Sequence, residues 1–217
     1  EGVASNGIEK SVNGIEIVPS QKYLIKKNNS EVGFKKNSFF NKVALNIESR
    51  NDTLIVHKDI YPLRKSYDIK ILKKVKDSTI RRQSYIGVIN NNGTLSYLKT
   101  KKTDEFFSAS SSILGSYTLS RDSIKPEIKP LNFSLNKDIS KQKTIRLRIY
   151  DKTSGVKSYS VLINNQWALF EYEPKSNVIF HNIEDGIIKS GENNINAKVI
   201  DGVGNETEIN SKVYWSN

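Results

Sequence analysis

Apolar residues in this chain fall in short runs that alternate with polar ones, separated by clusters of Asn, Gly, Ser and Asp. A period of two over four to eight residues is the mark of a half-buried strand, and the 3.6-residue stripe of an amphipathic helix is missing. The sequence therefore predicts an all-β protein with little helix. The clearest element is residues 156–173, VKSYSVLINNQWALFEYE, read as a β-hairpin about Asn164-Asn165. Asn tolerates the positive φ of a type I′ turn better than any residue except Gly, so this pair sets the register. In the second arm Trp167, Leu169 and Glu171 point one way and Ala168, Phe170 and Tyr172 the other. Large apolar groups lie on both faces, so at least one face is buried. An aromatic residue on a strand is usually core, and Trp167 is expected there as a structural residue rather than a ligand contact.

Upstream, the same alternation predicts strands at 15–18, 23–26, 43–47, 53–57, 67–72, 85–89, 94–98 and 114–119. Gly-bearing turns are expected at Ser5-Asn6-Gly7 and Val12-Asn13-Gly14, and Asn51-Asp52 and Asn90-Asn91-Asn92-Gly93 read as turns between strands. Residues 73–83 are polar and basic and admit one short helix. Residues 120–130, SRDSIKPEIKP, carry two prolines and little apolar content before Ile124, and mark a domain boundary near residue 121. The expectation is two β-sandwich domains in tandem, 1–120 and 121–217. The second has about seven strands in under a hundred residues, the size and spacing of an immunoglobulin-like sandwich. Limited proteolysis is expected near Arg121 or Lys125.

At 217 residues the chain is long enough for two such cores. The absence of Cys excludes a disulfide framework, a thiol nucleophile and a thiolate metal site. No apolar run approaches the roughly 20 residues of a membrane span or a signal-peptide core, and the sequence starts at Glu1 without Met, which suggests a trimmed fragment of a longer product. The net charge of +11 is uneven: residues 1–120 hold 20 Lys and Arg against 11 Asp and Glu, and the remainder 14 against 12. Basic clusters at Lys26-Lys27, Lys35-Lys36, Arg64-Lys65, Lys73 to Lys76, Arg81-Arg82 and Lys99 to Lys102 would bind a polyanion only if they converged on one face. Without a basic helix, an RNP-like aromatic motif or a Cys/His finger they read as solvated strand faces and edges, and nucleic acid is not expected as a partner.

Candidate chemistry is thin. A zinc hydrolase needs three protein ligands and a general base. The chain has two histidines, His57 and His181, one in each domain and neither with a second His at i+2 or i+4, so both are read as ordinary strand residues. A GxSxG elbow and a Gly-rich phosphate loop are also missing. The adjacent pairs Asp104-Glu105 and Glu184-Asp185 point apart on a strand or turn. Asp151 and Asp201 each end a strand before a Gly-containing turn, DKTSGV and DGVGN. They are read as caps of those turns, since a calcium site would want more converging carboxylates. No catalytic, cofactor-binding or metal residue is assigned, and no cofactor is expected.

The motifs Asp122 to Pro126, Asp151 with Ser154 to Tyr159, Asn165-Gln166-Trp167, Glu171 to Lys175 and Asp201 to Asn205 together resemble the C-terminal immunoglobulin-like module of Bacteroidetes lysostaphin-type zinc metallopeptidases, metallopeptidase family twenty-three. Upstream, Gly33 to Phe40, Pro62 to Tyr67 and Leu114 to Leu119 resemble the β-rich module that precedes it. In that family an N-terminal unit holds zinc through HxxxD and HxH motifs and hydrolyses peptidoglycan cross-links. Those motifs have no counterpart here. The resemblance implies a non-catalytic accessory region of a peptidoglycan endopeptidase-like protein, in the periplasm or at the surface of a Gram-negative cell. Its expected partners are other envelope proteins or anionic envelope polymers. The alternative is a stand-alone adhesion, scaffold or secretion-complex module.

Overall fold

The computed structural model describes residues 14–216, and the expected turn at Ser5-Asn6-Gly7 and most of the one at Val12-Asn13-Gly14 lie outside them. Among the described residues two compact units are formed, the first from residues up to Lys76 with Ile86–Ser120 and the second from Asp77–Tyr85 with the chain from Arg121 onward. The second unit thus starts at Arg121 and also takes in a short segment that the sequence reading placed in the first domain.

In chain order the first stretch holds β1 (Ile15–Ile17), β2 (Tyr23–Lys27), β3 (Ser30–Phe34), β4 (Val43–Leu45), β5 (Ile47–Arg50), β6 (Thr53–Val56) and β7 (Tyr67–Leu72). There follow a six-residue helix α1 (Ser78–Gln83), β8 (Ser84–Ile89), β9 (Leu95–Leu98), β10 (Lys101–Lys102), β11 (Phe106–Ser111) and β12 (Gly115–Arg121). They make two five-stranded sheets, ordered β10-β11-β7-β3-β2 and β5-β6-β12-β8-β9, and a two-stranded pair β1-β4. Alternation places Val32 and Phe34 of β3, and Tyr67, Ile69 and Ile71 of β7, in one core with Leu54, Phe107 and Tyr117.

One expected strand, 43–47, is two. Asn46 breaks it: β4 pairs with β1, and β5 pairs with β6 in another sheet. Asn46 exchanges bonds with His57, whose backbone N–H donates to the Asn46 carbonyl at 2.8 Å and whose Nδ1 accepts the Asn46 N–H at 3.1 Å. The pairing is local and polar, so apolar alternation could not signal it.

The second unit continues with β13 (Glu127–Pro130), β14 (Lys137–Asp138), β15 (Thr144–Tyr150), β16 (Val156–Ile163), β17 (Gln166–Ala168), β18 (Glu171–Glu173), β19 (Val178–Asn182), β20 (Gly191–Asp201) and β21 (Glu206–Trp215). Its sheets run β13-β15-β19-β18 and β14-β21-β20-β16-β17. All pairings are antiparallel except β14 with β21. This is the immunoglobulin-like arrangement, with strands A, B, E and D in one sheet and G, F, C and C′ in the other. In place of a disulfide, Ile145, Leu147 and Ile149 of β15 meet Ile195, Ala197 and Val199 of β20 in an aliphatic core.

The hairpin forms about Asn164 and Asn165, both at positive φ, 51° and 63°. Its second arm does not continue to residue 173. β17 ends at Ala168, and after Leu169 and Phe170 the chain joins the opposite sheet as β18, paired with β19. Crossing sheets resets which side faces inward. Ala168 and Phe170 are buried, but Tyr172 is exposed. The expectation of Trp167 in the core fails: it is 60% exposed, because it lies opposite Leu162 on the outer face while Ala168 takes the core side.

Candidate functional site

Three places gather polar chemistry. The first is a knot of carboxylates in the second unit. Asp151 Oδ1 accepts the N–H groups of Thr153, Ser154 and Gly155 at 2.8–3.1 Å, and Asp201 Oδ1 accepts those of Val203, Gly204 and Asn205 at 2.7–3.0 Å. Each caps its turn as the sequence implies, and Gly155 and Gly204 adopt the positive φ, 72° and 90°, that those turns need. The sequence reading missed a third member. Asp122, buried, accepts the Ser154 hydroxyl at 2.6 Å and the Ile124 N–H at 3.1 Å. Oxygens of Asp122, Asp151 and Asp201 lie within 4.8 Å of one another. Burial foremost, with the two neighbouring carboxylates, pushes Asp122 above the usual carboxylate range, against the lowering effect of its hydrogen bonds. Nothing in the sequence spacing joins residue 122 to turns 29 and 79 positions away.

Asn205 ties the knot together. Its Nδ2 donates to the Asp122 and Ile124 carbonyls and to Asp201 Oδ2, and its Oδ1 accepts from Gln83 Nε2 at 2.9 Å and Arg82 Nη1 at 3.2 Å. Every donor and acceptor of that buried amide is used, which fixes its orientation. α1 supplies Arg82 and Gln83 and is itself capped by Asp77, whose side chain accepts the Ile80 N–H at 2.8 Å.

The second place is a recess in the first unit of about 740 Å³, lined by Glu48, Ile55, His57, Asp59, Ile60 and Ile113 among others. His57 is no ordinary strand residue. It follows the last residue of β6 at φ 59°, a conformation rare outside Gly and Asn, and its ring stacks on Tyr61 at 5.3 Å. Its Nδ1 accepts the Asn46 N–H and so carries no proton, and burial lowers its pKa in the same sense. His181, in contrast, is a buried residue of β19, with Nδ1 2.9 Å from the Leu169 carbonyl and its ring stacked on Phe170. The two histidines lie in different units, as the sequence indicated.

The third place is the outer face of the five-stranded sheet of the second unit. Register puts Trp167 of β17, Leu162 of β16, Asn196 of β20 and Asn210 of β21 directly opposite one another in one transverse row. Asn196 Nδ2 donates to Asn210 Oδ1 at 2.8 Å and to Glu208 Oε1 at 2.5 Å. A recess of about 600 Å³ is lined by Leu162, Asn196 and Asn210 of this row together with Leu135, Asn194 and Lys212, and Trp167 stands outside its lining.

The basic clusters of the first unit are spread over strands and answered by acids only in part, with 20 Lys and Arg against 11 Asp and Glu in residues 1–120. Glu31 lies 3.7 Å from Lys26 and 3.2 Å from Lys70, Glu16 is 2.7 Å from Lys42, Asp68 is 3.8 Å from Lys35, and Asp52 pairs with Lys73. Lys70 also lies over the Phe106 ring at 4.5 Å. Of the adjacent acidic pairs, Glu105 is 4.0 Å from Lys74, and Glu184 and Asp185 sit in a 3₁₀ turn where Asp185 reaches His181 at 3.7 Å. Among the described residues no helix is long and apolar enough to cross a membrane.

The fold and these sites define a tandem of β-sandwich modules. Residues 17–122 match the family model of the Zu5-like domain. No curated protein matches the chain. A solved structure of Clostridium thermocellum CbhA fibronectin(III)-like modules is similar at 14% identity, with a TM-score of 0.34, over 69% of this chain and 85% of that one.

Proposed function

We propose that this chain is a non-catalytic docking and spacing region of a bacterial cell-envelope protein, in the periplasm or at the cell surface of a Gram-negative cell, and that its parent is a peptidoglycan metalloendopeptidase-like protein. One contrast carries the reading. The groups with most chemical potential are spent inside the fold, the carboxylates on turn N–H groups and Asn205, and His181 against a backbone carbonyl. Large apolar side chains are instead turned outward on or beside strands: Trp167 is 60% exposed and Leu169 53%. Side chains committed to holding backbone are poor acid–base catalysts, and exposed strand aromatics are the usual anchors of recognition. The link to peptidoglycan rests on the sequence resemblance described above.

Sedimentation of the purified chain with isolated sacculi, and separately with whole envelopes, tests both parts. Retention on sacculi supports the peptidoglycan-associated reading, and retention on whole envelopes alone supports the stand-alone adhesion or scaffold reading. Retention on neither sinks the docking reading. Sacculus hydrolysis by the purified chain, abolished by chelation, would overturn the non-catalytic part.

A further inference from the structure

The outer face of β17-β16-β20-β21 has a composition that selects one class of ligand. Its transverse row sets an exposed indole, an aliphatic side chain and two carboxamides in line on four neighbouring strands, Trp167, Leu162, Asn196 and Asn210. With strands about 4.8 Å apart the row spans roughly 14 Å. The recess at the Leu162, Asn196 and Asn210 end of the row adds Asn194, Glu208 and Lys212, with Trp167 flanking it on the edge strand. Asn196 and Asn210 already orient each other, and Asn196 also binds Glu208, so these groups are held rather than free to swing.

We infer that this face binds a neutral oligosaccharide, a glycan chain laid across the strands with one pyranose ring stacked on Trp167 and its hydroxyls bonded to Asn196, Asn210 and Glu208. A sugar hydroxyl both donates and accepts; Asn196 spends its two N–H groups on Glu208 and Asn210 and keeps its Oδ1 to accept, and the Asn210 Nδ2 group is set to donate, so the pair suits hydroxyls in either sense. The apolar face of a pyranose ring presents C–H groups to an aromatic ring, and Trp167 offers a large rigid ring on a strand at no cost in burial elsewhere. Charge narrows the class further. The recess lining carries one acid, Glu208, and one base, Lys212, so it has no net charge with which to draw an anionic polymer. The surface is open and runs across strands, which suits a chain more than a compact metabolite.

This inference rests on the docking reading and specifies what the second unit docks to. The test is binding of the whole chain to an immobilised panel of neutral and anionic glycans at low and high salt, for the wild type, Trp167→Ala, Trp167→Phe and Asn196→Ala. Circular dichroism confirms that each variant is folded. Expected are retention on neutral glycans that high salt does not remove, a loss of at least tenfold in affinity for Trp167→Ala, a smaller loss for Asn196→Ala, and near-normal binding for Trp167→Phe, which keeps a ring. Salt-sensitive binding confined to anionic glycans, no binding to any neutral glycan, or equal binding by wild type and Trp167→Ala each overturns it. So does a wild-type dimer that Trp167→Ala dissociates, because the face would then be occupied by a second copy. Envelope retention that persists while the neutral panel stays blank removes the glycan and leaves the docking reading standing.

Discussion

The Tyr67 hydroxyl donates to the Tyr117 hydroxyl at 2.9 Å inside the first core, where both rings are completely buried and meet edge to face at 6.3 Å. The Tyr117 hydroxyl is in turn 2.9 Å from Ser111 Oγ and bonded to the Ile113 carbonyl. The two tyrosines are 50 residues apart, on β7 of one sheet and β12 of the other, so the bond pins the sheets in register. Removing the acceptor should cost more than removing the donor. Tyr117→Phe leaves the Tyr67 O–H buried without a partner, at about 1–3 kcal/mol, and Tyr67→Phe leaves a still-bonded hydroxyl, at about 1 kcal/mol. The double variant should cost less than the sum. Denaturant titration of the three variants checks the order, and Tyr67→Phe costing more than Tyr117→Phe would show that the bond does not carry the effect.

The same pair predicts alkaline sensitivity. Burial, foremost, raises both hydroxyl pKa values above the ordinary range. In the unfolded chain they ionise near pH 10. Above that pH the unfolded state loses protons that the folded state keeps, so stability falls as pH rises. Thermal melts between pH 8 and pH 11 should show the decline, shallower in the Tyr67→Phe/Tyr117→Phe double variant relative to its own neutral-pH value.

In the hairpin, Asn164 and Asn165 share a conformation but not a role. Asn164 Nδ2 donates to Asn193 Oδ1 and its Oδ1 accepts the Asn194 N–H, both at 2.8 Å. Asn165 serves the turn chiefly by tolerating φ 63°. Asn165→Gly should therefore be neutral or stabilising by a few tenths of a kcal/mol, since Gly is the favoured second residue of a type I′ turn. Asn164→Ala should cost about 1–2 kcal/mol, from strain and lost bonds. Equal effects in chemical denaturation would contradict this division.

Much of this fold can be read from alternation and turn chemistry, because both are local. Asn28, Asn37, Asn51, Asn136, Asn164, Asn165 and Asn177 all take positive φ, which is what an Asn-rich sequence between apolar runs foretells. Features set by register, by polar exchange or by distant partners were out of reach. Trp167 faces outward because its register sets it opposite Leu162 on the outer face while Ala168 takes the core side, and hydropathy treats an exposed and a buried tryptophan alike. Asn46 ends one strand and starts another through a polar exchange with His57. Asp122 joins Asp151 and Asp201 through a fold that closes over many residues.

Proteolysis reads how firmly the start of the second unit is held. Arg121 Nε and Nη2 donate to Gln83 Oε1 at 2.9 and 2.6 Å, and the Asp122 N–H donates to the Gln83 carbonyl at 2.9 Å. The expectation of a cut near Arg121 therefore reverses: the scissile bond lies at the end of a strand against a buried Asp122, and Lys125 precedes Pro126, whose ring blocks trypsin. The exposed Lys58, beside an Ile60 that is 60% exposed, is the better site. Mass spectrometry of early tryptic fragments should find cleavage after Lys58 before cleavage after Arg121, and the opposite order would mean that the Gln83 contacts are not maintained in solution.

Asp122 offers the sharpest test of the carboxylate knot. Its pKa is raised in the folded state, by burial first and by Asp151 and Asp201 after it. Between the unfolded value, about 3.9, and the raised folded value, the folded protein holds a proton that the unfolded chain has released, so stability drops as pH climbs through that window. Above it the charged form costs stability at every pH. Asp122→Asn is neutral throughout, keeps an oxygen for the Ile124 N–H, and offers an amide that the Ser154 hydroxyl can accept from. It should be more stable than the wild type at pH 7, by on the order of 1 kcal/mol, with the gain vanishing toward pH 4. Urea titrations at pH 4, 5.5 and 7 measure this directly. Adding calcium or a chelator should leave the wild-type midpoint where it is, because turn N–H groups and Asn205 already engage these carboxylates. A calcium-dependent rise at pH 7 that Asp122→Asn abolishes would show instead that the three carboxylates hold a cation, and would reverse the assignment of the knot as self-satisfied.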